Sequence, residues 1–124
     1  MDAAVKLGYA TSYFKSEIQS LDEIRWAIGL YRGCLLGLNI HEGWNNVGAD
    51  GVIPEGGKVL GGHGVWAVSF FDEGQKDMLG NPITPGVVIA NSWGRAYGKK
   101  GFVLLPWEQL EEELIYGVAV KWVF

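Results

Sequence analysis

An α+β fold, dominated by a curled antiparallel sheet or partly open barrel, is predicted by three observations. An amphipathic helix pattern stands near the start of the sequence. Apolar runs of strand length follow it, separated by turns rich in Gly, Asn and Pro. A second, short helix pattern falls just before the last of those runs. The chain has 124 residues, 48% of them hydrophobic, enough for a single domain with a real core. That domain is expected over residues 20–124, after an N-terminal arm or edge segment over residues 1–19.

The first helix is "SLDEIRWAIGLYRG". Ser20 and Glu23 have capping-box spacing, and Leu21, Ile24, Ile28 and Tyr31 fall on one face. Gly33 supplies the stop. "CLLGLNI" reads as a buried strand from Cys34 to Ile40. The segment from His41 to Gly62 reads as one long loop, full of Gly, Asn and Asp, and its length points to a functional surface. "HGVWAVSFF" is the next strand, from His63 to Phe71. "DEGQKDMLGNPITPG" is a hairpin excursion. "VVIANSW" and "GFVLLPW" are two further strands. Pro106 then opens the short helix "PWEQLEEEL", and "IYGVAVKWVF" closes the chain as a strand.

Several classes are excluded on composition. The net charge is −4, with Lys and Arg scattered, which argues against a nucleic-acid partner. No run approaches the ~20 apolar residues of a membrane span. The N-terminus lacks the basic and apolar segments of a signal peptide. The expected location is the cytoplasm or a larger assembly. One Cys rules out an internal disulfide. No cofactor and no metal are expected, since no ligand-spacing motif is present.

His63 sits between Gly62 and Gly64 at the head of a strand, so another segment can approach its ring. A His working as acid or base needs one orientation and one tautomer. An Asn side chain can hold one ring nitrogen and leave the other free. Asn91 ends the neighbouring strand, and Trp93, two residues on, can cover the contact from water. The plainer reading is a packing His and a turn Asn.

From about Ser20 to Trp122 the chain resembles the C-terminal half of a papain-like cysteine peptidase. The segments that carry the likeness are "LDEIRWAIGLYRGCLLGLNI", "LGGHGVWAVSFFD" and "VVIANSWGRAYGKKGFVLLP", in that order. Tyr97 stands where the family often has Trp. The resemblance implies a barrel-like half-domain, His63 as general acid/base, Asn91 as its orienting partner and Trp93 as a shield. It also implies a helical other half carrying the nucleophilic Cys, with a substrate peptide lying between the two. Neither the Cys motif nor its oxyanion-hole Gln is present, so the chain is expected to be inactive alone.

Cys34 is not a substitute, because it opens a buried strand just after a helix C-terminus. His41 and Glu42 read as solvated loop, and Glu111–Glu113 as a solvated helix face. The Trp residues read as core, with Trp26, Trp66 and Trp93 inside predicted elements.

Three functions follow. The first is a peptidase half whose partner is an extended peptide, together with a chain carrying the Cys half or a second copy of itself. The second is a non-catalytic structural or binding module, such as an assembly or virion subunit. The third is a sugar-binding loop using an exposed Trp44 with Asn45, Asn46 and Asp50.

Overall fold

The computed structural model describes residues 12–18 and 20–123. The element order is β1 (Ser12–Ile18), α1 (Leu21–Tyr31), β2 (Cys34–His41), a 3-10 turn (Glu42–Asn45), β3 (Val59–Phe71), β4 (Gly86–Ala90), β5 (Phe102–Pro106), α2 (Trp107–Glu113) and β6 (Leu114–Val123). All strand pairs are antiparallel, in the order β1-β6-β2-β3-β4-β5. The sheet is not closed: β1 and β5 are its two edges. The fold is α+β, as the sequence predicts. Residues 1–11 of the expected arm lie outside the described residues.

α1 begins where the capping logic places it. The Ser20 hydroxyl accepts the Glu23 backbone N–H at 3.2 Å. The helix buries Ile24, Ala27 and Ile28. Its end differs from the expectation. Arg32, not Gly33, takes the left-handed conformation, at φ 63°, and its N–H reaches the Ile28 carbonyl. Gly33 serves close packing instead, since a Cβ there would lie 2.6 Å from Trp66 Nε1.

β2 points Cys34, Leu36, Leu38 and Ile40 into the core. β3 starts at Val59 rather than His63. Its glycines resemble loop in the sequence, but Gly61 and Gly62 pair with Ile40 and Asn39 of β2. The loop between the 3-10 turn and β3 folds back over the sheet. Ile53 N donates to the Leu104 carbonyl, Leu104 N to the Gly51 carbonyl, and Gln109 Nε2 to the Ile53 carbonyl. Ile53 is thereby buried in the same core cluster as Leu105 and Leu110.

The Trp residues differ from the expectation. Trp44 is fully buried and Trp107 nearly so, whereas Trp26 is 69% exposed on α1. Trp107 is held by its N–H on the Phe71 carbonyl, at 3.0 Å, and by the Arg25 guanidinium 4.1 Å above its ring.

Two glycines of the sheet make a direct contrast. A Cβ on Gly86 would meet the Leu105 carbonyl oxygen at 2.4 Å, while a Cβ on Gly62 would meet nothing within 4 Å. Gly86→Ala is therefore expected to cost about 1–3 kcal/mol, from overpacking against backbone. Gly62→Ala is expected to stay within about 0.5 kcal/mol of wild type, as open surface changes do. Urea unfolding midpoints of the two variants check this.

Candidate active site

β3 and β4 carry the two polar residues of the site to one place. Trp66 pairs with Ala90 across the ladder, so the chain leaving β4 at Asn91 runs alongside β3 toward His63. The Asn91 N–H donates to the Gly101 carbonyl at 2.9 Å, which fixes the turn out of β4. His63 Nε2 then lies 2.9 Å from Asn91 Oδ1.

The proton position follows from a third group. Ser92 N–H, a donor that cannot be anything else, points at the same Asn91 atom at 2.8 Å. That atom is thus the amide oxygen, and His63 Nε2 carries the proton. Nδ1 is left with its lone pair and has no hydrogen-bond partner among the described residues.

The His63 ring is walled by aromatics. Trp93 stacks on it with centroids 5.2 Å apart and planes 28° off parallel. Trp44 meets it edge-on at 6.1 Å and 88°. Tyr97 packs edge-on against Trp93 at 4.8 Å, and its hydroxyl donates to the Trp44 carbonyl at 2.6 Å. Burial pushes the Tyr97 phenol up to about 12, against a smaller opposing pull from the Asn91 side chain. Tyr97 is thus a neutral hydrogen-bond donor at any ordinary pH. Gly62 and Gly64 pair with Asn39 and Gly37 of β2, and a Cβ at either position would meet open space.

Behind Trp44 lies a group that sequence reasoning misread. The indole N–H of Trp44 points at the Glu113 carboxylate, 3.1 and 3.4 Å from its two oxygens. Glu113 is only 6% exposed and also takes His41 Nδ1. The other His41 nitrogen faces the Pro54 carbonyl at 3.0 Å. His41 is therefore no solvated loop residue, and Glu113 leaves the solvated face expected for Glu111–Glu113. Trp44, with 0% exposure, offers no platform for a sugar ring. Only the β-strand alternation running to His41 carried a signal of this burial.

Both His41 nitrogens face oxygen acceptors, so the imidazolium satisfies the site best. Desolvation lowers the His41 pKa, but the Pro54 carbonyl, the Glu113 hydrogen bond and the charges of Glu113 and Glu112 outweigh it, and the net direction is up. Burial raises the Glu113 pKa, against the contacts from His41 and Trp44.

Cys34 stands apart from all of this. It is fully buried and pairs with Ala67, while His63 pairs with Leu38. Four residues of strand separate those positions, about 13 Å at the usual rise. Burial pushes its thiol up to about 12, so it is a neutral core side chain, as the sequence indicates. Among the described residues, no group of three or more His, Cys, Asp or Glu side chains is placed to hold a metal. No helix among them is long and apolar enough to cross a membrane.

The fold has counterparts among solved structures. Xylellain, a cysteine protease from Xylella fastidiosa, superposes on 93% of this chain with a TM-score of 0.68 and 21% identity. The proCathepsin B S9 of Trypanosoma congolense covers the same 93%, with a TM-score of 0.62 and 16% identity. The fold is that of a papain-like half-domain. The chain spans 41% of xylellain and 37% of the procathepsin. No protein-family model matches the sequence, and no curated protein does.

The His41 shift sets a pH dependence. A raised folded pKa gives stability that is complete below the ordinary His value of about 6.5 and is lost as pH rises through the folded value. His41→Gln is expected to cost about 3 kcal/mol near pH 6. The cost should be smaller at alkaline pH, once the pH has risen past the raised folded value. Unfolding free energies at the two pH values check this, and a pH-independent cost contradicts a charged His41.

Proposed function

We propose that this chain carries the acid/base side of a cysteine-peptidase site. His63 is the general acid/base, Asn91 orients it and Trp93 shields the pair. The nucleophilic thiol comes from polypeptide beyond these residues, and the chain by itself is inactive. The observation that carries the reading is the His63 Nε2–Asn91 Oδ1 bond, which presents an unpaired Nδ1 as the base. The papain-like fold supports it.

The chemistry is peptide hydrolysis through an acyl thioester, in two stages. In the first, Nδ1 takes the proton of the incoming thiol and the thiolate attacks the peptide carbonyl. The imidazolium gives that proton to the departing amine, leaving an acyl thioester. In the second, Nδ1 takes a proton from water, whose oxygen attacks the thioester. The proton then returns to the thiolate. Through both stages Nε2–H stays on Asn91, so the imidazolium is stabilised without rotating. Trp93, stacked on the ring, keeps water from competing for that bond.

A non-catalytic binding module is the second reading. Trp26 and Leu30, 69% and 71% exposed on α1, favour it because apolar surface of this kind usually meets a partner.

Labelling decides between them. Material from the native source is treated with a peptidyl epoxide directed at activated thiols, and labelled residues are identified by mass spectrometry. The first reading expects label on one cysteine other than Cys34, with His63→Ala reducing it by ~10³-fold or more. Label that survives His63→Ala, or a stable unlabelled assembly, rejects the acid/base role and leaves the binding module.

A further inference from the structure

Trp44 joins the His63 slot to the residues behind it. Its ring edge meets both His63, at 6.1 Å, and Trp93, at 6.2 Å. Its carbonyl takes the Tyr97 hydroxyl. Its N–H ends on Glu113, whose carboxylate is the acceptor for both Trp44 and His41. His41 is the last residue of β2, Trp44 lies in the 3-10 turn, Pro54 in the loop and Glu113 at the end of α2. One buried carboxylate thus ties four parts of the chain behind the aromatic wall.

A buried charge needs a reason. Taking a carboxylate out of water costs several kcal/mol even after relaxation. An apolar residue would fill the same space without that cost. A carboxylate offers two oxygens, and here they meet two donors from elements far apart in sequence. Gly43 shows how tightly this corner is packed: a Cβ there would lie 2.0 Å from the Pro54 carbonyl oxygen and 2.6 Å from His41 Nε2. The clamp leaves Trp44 little room to shift, and Trp44 in turn closes one wall of the His63 slot.

We infer that Glu113 is a positioning residue for His63, acting through Trp44, an inference that rests on the acid/base reading of His63. Glu113 does not touch the reacting atoms. It holds the indole that keeps water off the His63–Asn91 bond.

The test is proton NMR of the chain in water, following two signals in one spectrum. The first is the His63 ring N–H, protected when the Asn91 bond is dry. The second is the Trp107 indole N–H, bonded to Phe71 at the other end of α2 from Glu113, which reports an intact fold. Wild type is expected to show both. Glu113→Leu is expected to keep the Trp107 signal and lose that of His63 to exchange. Glu113→Gln is expected to restore it, since Gln offers an oxygen to Trp44 and an N–H to a neutral His41.

A His63 signal that persists in Glu113→Leu overturns the inference. Should Glu113→Leu lose both signals, Trp44→Phe decides: it keeps a ring without the N–H anchor, and a persistent His63 signal there overturns the inference as well. If wild type shows no protected His63 signal, the His63–Asn91 reading fails first and the positioning role goes with it.

Discussion

Asn91 Oδ1 accepts two hydrogen bonds, and the chemistry of the candidate site depends on both. The Ser92 N–H fixes the amide so that its oxygen faces His63. The His63 N–H then has no choice of nitrogen, and the lone pair is left on Nδ1. Backbone geometry of the sheet brings the two residues together. The β3–β4 ladder brings the end of β4 beside the stretch of β3 that carries His63. The Asn91 N–H to the Gly101 carbonyl sets the angle at which the chain leaves β4. A papain-like half-domain is therefore enough to hold this imidazole in one orientation.

Aromatic packing partly covers the contact. Trp93 lies over the ring face, Trp44 stands at its edge, and Tyr97 braces both through its ring and its hydroxyl. The buried Glu113 and His41 lie one layer further out. Their charges are costly in isolation but hold each other and Trp44 together. Stability and site geometry meet at that layer: the interaction that fixes the loop also fixes the aromatic edge.

Local signals in the sequence were read well where the physics is local. Ser20 caps α1, β2 begins at Cys34 and α2 follows Pro106, each from neighbours within a few residues. The likeness of "GGHGVWAVSF" and "NSWGRAYGKKGF" to known peptidase segments brought His63 and Asn91 forward as a pair, and the structure puts them in hydrogen-bond contact. What stayed hidden depends on distant partners. His41 and Glu113 are separated by 72 positions, and Trp44 and Glu113 by 69, so a polar residue beside a loop gave no hint of burial. The early start of β3 was masked in the same way. Gly61 and Gly62 have poor strand propensity alone and become strand only because β2 offers them a ladder.

The central claim is that the His63 imidazole is held with its proton on Nε2 and a bare Nδ1. Neutron diffraction from a deuterated crystal of this chain, at an alkaline pH where an ordinary imidazole is neutral, reads that proton directly. The account predicts nuclear density for one exchangeable hydrogen on Nε2, aimed at Asn91 Oδ1, and none on Nδ1. A hydrogen on Nδ1, or a ring turned away from Asn91, would contradict it.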